Sequence, residues 1–170
     1  ALAERHRKAI HHFKMALVFT PKSTFLHLCI GRQFHHLKEW DAATLWIQKA
    51  LLYDRSNAKA YLLLGQITQA QKKWKKAEAY YQKALRKDPH LPDAYLELEE
   101  LWRKQKCSLV QRKKLMKRMI RYLPKRYEGF LQLAQLVEQR GDYARAIELY
   151  QKALNREPSE AIALYRLANI

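Results

Sequence analysis

The sequence predicts an all-α protein built as an array of stacked helical repeats, and three observations carry that expectation. First, Gly65, Ala77, Tyr81 and Ala84 echo Gly31, Ala43, Ile47 and Ala50 at a fixed offset of 34 residues. A period of this length marks repeat architectures whose units bury their apolar faces only against neighbours. Second, small residues recur where helices must touch, and large apolar ones recur where they interlock. Third, Pro21, Pro89, Pro124 and Pro158 punctuate the chain at matching places, where a residue without a backbone N–H stops a helix.

The template runs in both directions. From Phe130 through Leu133, Ala134, Ala146, Tyr150 and Ala153 to Pro158, each step equals the step from Tyr61 to Pro89. Upstream, Ala9, Phe13, Ala16 and Pro21 reproduce only the second half of a unit, and Leu164, Leu167 and Ala168 open another. On these residues the chain resembles the tetratricopeptide repeat family, in which each unit of 34 residues folds as two antiparallel helices, A and B. The resemblance covers essentially the whole chain. It implies a right-handed superhelical solenoid of antiparallel helix pairs. The expected organisation is a single solenoid over 1–170: a second half-repeat at 1–23, full repeats at 24–57, 58–91, 92–126 and 127–160, and a first helix over 161–170. A chain starting in mid-repeat is expected to be a fragment of a longer one whose open ends permit self-association.

Each element has a physical reason. Gly31, Gly65 and Ala134 fall in helix A, where Gly costs about 0.8–1 kcal/mol relative to Ala unless something approaches closely. Ala43, Ala77 and Ala146 supply the matching small surface on helix B. Trp40, Trp74 and Tyr143 open helix B, and Ile47, Tyr81 and Tyr150 follow seven residues later, a spacing that places both sets on one buried face. Repeat 92–126 departs from the pattern. It is one residue longer than its neighbours, with the extra residue expected in the turn around Lys106 to Ser108, and Glu99 stands at the small helix A place with Arg112 or Gln111 opposite. Looser or differently angled packing is expected there, either as drift or as a kink that shapes a binding site.

Composition excludes several classes. No apolar run approaches the roughly 18 residues of a membrane span. Four Gly, five Pro and no Ser/Gly-rich stretch leave no linker to a second domain, and Cys29 and Cys107 lie too far apart in the repeats to suggest a disulfide framework. A cytoplasmic or other reducing compartment is therefore expected. The net charge is +17, and it is uneven: residues 72–126 hold 18 Lys/Arg against six Asp/Glu. Residues 103–126 hold eleven basic residues and no acidic one. Lys113, Lys114, Lys117, Arg118 and Arg121 surround Leu115, Met116, Met119 and Ile120, giving an amphipathic helix B with a basic outer face. That face reads as a solvated surface eased by Glu99 with Arg103 and Glu100 with Lys104 at i,i+4, as a dock for an acidic protein segment, or as a contact to RNA or anionic lipid.

In the family the ligand lies in the concave groove lined by the A helices, so groove residues are read separately. Leu28, Leu62, Leu96 and Leu131 occupy one equivalent place and form either an apolar floor for a peptide or ordinary core against helix B. The polar candidates are Arg32, His35 and His36; Lys59, Gln66 and Gln69; Glu100, Arg103 and Lys104; and Glu128, Gln135 and Glu138. The carboxylate clamp with which one branch of the family holds chaperone C-termini is absent, because its places carry Leu28 and Arg32, then Leu62 and Gln66. No phosphate loop, zincin helix, Cys-x-x-Cys or nucleophile with an identifiable base is present. Adjacent histidines at 11–12 and 35–36 point about 100° apart on a helix, so a metal site is not expected. The resulting expectation is a non-catalytic protein-interaction scaffold without cofactor or metal, with a protein or acidic peptide as partner and RNA as the alternative.

Overall fold

The computed structural model describes residues 2–170; residue 1, which the repeat reading includes in its first half-repeat, lies outside the described residues. Ten helices and no strand are found among the described residues: α1 Leu2–Phe19, α2 Thr24–His36, α3 Trp40–Tyr53, α4 Ala58–Ala70, α5 Trp74–Lys87, α6 Pro92–Lys104, α7 Leu109–Tyr122, α8 Glu128–Glu138, α9 Tyr143–Leu154 and α10 Ala161–Asn169. Pro21, Pro89, Pro124 and Pro158 all follow a helix end, as their chemistry requires. Contacts group the chain into two compact units, one reaching to Glu97 and the other running from Leu98 to Ile170, with the division inside α6.

Helix starts are set by short polar side chains. Ser23 and Asn57 accept hydrogen bonds from the amides of Leu26 and Ala60, which opens α2 and α4 at the same repeat position. Asp142 caps α9 and Ser108 caps α7 in the same manner. The turn from helix A to helix B also recurs. Lys38, Lys72 and Lys106 adopt left-handed backbone with φ of 61°, 60° and 54°. The amides after them reach back five residues, from Glu39 to Phe34 O, Lys73 to Thr68 O and Cys107 to Trp102 O, at 2.8–3.0 Å. This is a Schellman closure, which satisfies orphan carbonyls at the helix end. The fourth repeat places Gly141 there, with φ 76°. After Lys106 the chain takes one residue more than after Lys72 before its helix starts, so the insertion of repeat 92–126 falls at Cys107–Ser108.

The core lies between paired helices. A Cβ added to Gly65 would fall 2.4 Å from the Tyr81 ring, and one added to Gly31 would fall 2.7 Å from Ile47 Cγ1. Ala43, Ala77 and Ala146 are fully buried, as are Ile47, Tyr81 and Tyr150. The aromatic residues that open helix B behave differently from expectation: Trp74 is 40% and Tyr143 55% exposed. They occupy the first helical residue, where the side chain lies over the helix end instead of between two helices. Trp40 is half-buried because the His35 ring meets it at 5.4 Å.

Histidines mark the packing of α1 on α2. The rings of His6 and His36 stack at 5.0 Å, 16° from parallel, and His6 Nδ1 lies 2.7 Å from Gln33 Oε1. Arg7 pairs with Glu39 at 3.1 Å beside them. Burial and then the neighbouring His36 hold the His35 pKa below its ordinary value; burial, then His6 and Arg32, do the same for His36.

Two measurements follow from these contacts. Gly65→Ala is expected to destabilise by about 1–2 kcal/mol in urea unfolding, because overpacking of about 1–3 kcal/mol exceeds the helix-propensity gain of up to about 1 kcal/mol. A depressed histidine pKa means the unfolded chain binds the proton more tightly. The contribution of His35 and His36 is therefore complete above their ordinary pKa near 6.5 and is lost as pH falls through the depressed folded values. Melting temperature should drop between pH 7.5 and pH 5, and His36→Gln should flatten that drop.

Candidate functional site

The small-residue contact is replaced in one helix pair by charge. Glu99 on α6 and Arg112 on α7 are 3% and 7% exposed, and Arg112 Nε donates to Glu99 Oε1 at 2.8 Å while Nη2 donates to the same oxygen. Glu99 therefore does not pair with Arg103 along its own helix. Glu100 takes that role, accepting from Arg103 Nε at 3.0 Å and lying 3.1 Å from Lys104 Nζ. Those two cations hold the Glu100 pKa below the usual carboxylate range, Arg103 contributing most, and Glu100 in turn raises the pKa of Arg103. At the place where the other repeats carry small residues, this repeat has a buried, bonded pair.

This pair forms part of the wall of an open cleft of about 390 Å³ within residues 98–170. Glu99, Glu100 and Arg103 line it from α6, Gln132, Gln135, Leu136 and Glu138 from α8, and Arg166 from α10. The second ion-paired wall is equally well held. Glu138 accepts from Tyr150 Oη at 2.5 Å and from Arg166 Nη1 at 3.2 Å. Burial first, then the Glu138 hydrogen bond and charge, push the Tyr150 pKa well above the ordinary phenol value, so Tyr150 stays protonated and donates. Between the walls, Gln132 and Gln135 on α8 and Gln139 at its C-cap recur at i, i+3 and i+7, and their side-chain amides make no hydrogen bond among the described residues. The exposed heads are cationic: Arg103, Lys104 and Arg166 are 56%, 62% and 46% exposed, against 34% for Glu100 and 18% for Glu138.

The other sequence-derived candidates distribute unevenly. Glu100, Arg103, Gln135 and Glu138 meet in the cleft, whereas Lys104 lies beside it, paired to Glu100. Leu28, Leu62 and Leu131 are 8%, 7% and 5% exposed, so they are core residues with little surface to offer, and Leu96 is half-buried. In the first unit Gln66 donates to Glu97 at 2.8 Å, and Gln69 accepts from Tyr81 Oη at 3.1 Å. Arg32 and Lys59 are exposed. Glu128 accepts from Arg126. His27 is buried and donates from Nδ1 to Ser23 O at 2.8 Å. Among the described residues no group of three or more His, Cys, Asp or Glu converges as metal ligands would. No described helix is long and apolar enough to cross a membrane.

On α7 the basic face is present: Lys114, Lys117 and Arg121 are exposed, Lys113 and Arg118 half-buried. Burial and then Arg140 and Arg145 lower the Lys113 pKa, so cations from two further segments gather around it. The Tyr122 ring accompanies this face, with the Arg118 guanidinium 5.8 Å from its centroid. Sequence reading overlooked Gln132, Gln139 and Arg166, although the glutamine spacing on α8 was a visible signal.

Two tetratricopeptide repeat family models match the chain, one over residues 58–91 and one over 128–170. Solved structures agree in fold. A crystal structure of MamA is 20% identical with a TM-score of 0.71, covering 92% of this chain and 91% of that one. PilF of Pseudomonas aeruginosa is 22% identical with a TM-score of 0.76, over 98% and 77% of the two chains. YrrB, described as a TPR protein with an unusual peptide-binding site, is 20% identical with a TM-score of 0.67, over 91% and 79%. No curated protein matches the sequence.

Glu99→Ala and Arg112→Ala are each expected to cost about 3–5 kcal/mol, since either strands a buried charge. The double substitution, which restores the small pair of the other repeats, should cost clearly less than the sum. Chemical unfolding of the four proteins in a double-mutant cycle reads the difference.

Proposed function

We propose that this chain, which tetratricopeptide repeat models match over residues 58–91 and 128–170, is a non-catalytic scaffold that holds an extended acidic peptide in the cleft between α6, α8 and α10. The glutamine stripe of α8 carries this reading. A primary amide presents one acceptor and two donors, the complement of a peptide group, and unbonded amides on one helical face suit a strand of backbone. Ion-paired walls add direction. Arg103 and Arg166 are held in place by Glu100 and Glu138 yet keep their outer N–H groups toward solvent, where carboxylates of a partner reach them. The buried leucines then serve as an underlayer that fixes the A helices, and selection falls to Arg103, Lys104, Gln132, Gln135 and Arg166.

The basic face of α7, with Lys113, Lys114, Lys117, Arg118 and Arg121, is a second contact in this proposal, to an acidic subunit of a larger assembly. Opposite charge there accelerates encounter and sets orientation more than it deepens affinity.

Binding of fluorescein-labelled acidic peptides, read by anisotropy, tests the cleft. Gln132→Ala with Gln135→Ala should weaken the best binder by about 1–3 kcal/mol, two net hydrogen bonds at about 0.5–1.5 kcal/mol each. Arg103→Glu should weaken it further and reduce the salt dependence of the remaining affinity. Unchanged affinity in the double glutamine variant would remove the cleft from the function. Binding of oligouridine with a log–log salt slope near −4, that of about six phosphates, would favour RNA instead.

A further inference from the structure

The repeat template supplies an internal comparison for every outward-facing position. At the place of Leu45 on α3, the other complete repeats carry Ala79, Lys114 and Glu148; at the place of Leu52 they carry Arg86, Arg121 and Asn155. All six of those residues are exposed, so the fold asks nothing apolar there. Leu45 and Leu52 are nevertheless 52% and 72% exposed. They stand seven residues apart, on one stripe of α3.

A groove of about 590 Å³ runs beside them within the first unit, lined also by Leu51 and by Tyr61, which is itself only 6% exposed. Its rim is basic. Lys49 and Arg55 line it, and Lys83 stands 4.4 Å from the Tyr61 ring centroid. No acidic residue lines the groove. Asp54, next to it in sequence, is committed elsewhere, accepting from the Ser56 amide at 2.9 Å, the Ser56 hydroxyl at 2.6 Å and Asn57 at 3.1 Å. Those bonds hold its pKa below the usual carboxylate range.

We propose that the outer face of α3 is a docking groove for an acidic amphipathic helix of a partner protein, its apolar residues on Leu45 and Leu52 and its carboxylates on Lys49 and Arg55. A helix laid in a groove with one apolar anchor per turn matches leucines seven residues apart. Charge decides between occupants. A second copy of this chain carries +17 and would bring cations to a cationic rim, whereas an acidic helix meets complementary charge along both edges. This groove is separate from the cleft of residues 98–170, and neither depends on the other.

The probe is a fluorescein-labelled helix of about 18 residues, or five turns, with Leu at i, i+3 and i+7 and Glu elsewhere, compared with its scrambled isomer of equal charge. Anisotropy at physiological salt is expected to show the ordered peptide binding at least about tenfold more tightly than the isomer. Leu45→Ser with Leu52→Ser should remove that preference without altering the melting temperature, since both side chains are exposed. Lys49→Glu with Arg55→Glu should weaken the ordered peptide by a similar factor. Equal binding of the two peptides, no binding of either, or retention of the preference in the leucine double variant would overturn the proposal. So would a dimer in sedimentation that the leucine substitutions dissolve, which would make a second copy the occupant.

Discussion

The structure depends on one contact repeated along the chain, the place where helix A and helix B of a unit come too close for a side chain. At Gly65 the facing surface is the Tyr81 ring, and at Gly31 it is Ile47. The large residue on helix B fills the space that the missing Cβ leaves, and its full burial supplies the stabilisation that offsets glycine in a helix. The polar tip of that residue also acts. Tyr81 reaches through the pair to Gln69, and Tyr150 through the equivalent pair to Glu138, each on helix A of its own unit. Thus the packing residue orients a polar side chain at the edge of the A-helix face. The fold's tightest contact and its polar display are built by the same ring.

Where the small residue is lost, the constraint is met by a different force. Glu99 and Arg112 put two charges into the space, and their bonds to one another are what make this burial tolerable, because an unpaired charge in such a place costs several kcal/mol. An ion pair needs defined directions where Gly against Tyr needs only volume, so this repeat trades stability for geometry. That exchange has a spatial consequence. Both residues line the cleft, and Glu100 and Arg103, one helical step away, form its outer ion pair. The departure from the template and the candidate site are the same piece of the molecule.

Much of this was legible beforehand, for reasons specific to particular residues. A period of 34 with Gly31, Gly65 and Ala134 in register discloses which helix faces touch, since only close approach makes small residues useful there. The extra residue of repeat 92–126 was legible because a turn is the only part of a helix pair that accepts an insertion without shifting its contacts. The aromatics opening helix B were misread, because period alone does not separate a residue inside a helix pair from one over a helix end, and Trp74 and Tyr143 belong to the second kind. Glu99 was assigned the wrong partner because i,i+4 spacing sees only its own helix, whereas burial forces a charge to seek the nearest cation across the pair. Gln132 and Gln139, unlike Gln135, were passed over because single amides carry no charge or bulk. They line the cleft together with Glu138 and Arg166, a contact 28 residues apart in sequence.

The same logic separates positions that repeat from positions that vary. Inside a helix pair the template is strict, since Ala43, Ala77 and Ala146 have no accessible surface and any change there disturbs the neighbour. The outer face of helix B is under no such demand. Across the complete repeats it reads as leucine on α3, alanine and arginine on α5, lysine and arginine on α7, and glutamate and asparagine on α9. Solubility alone asks only for polar residues at such places, and three of the four faces supply them. Apolar residues on the fourth cost solubility without adding to the core, and a concentration of lysine and arginine on α7 adds self-repulsion. The outer faces of α3 and α7 therefore carry a composition that neither the core nor solubility requires, whereas the residues inside the helix pairs are fixed by packing.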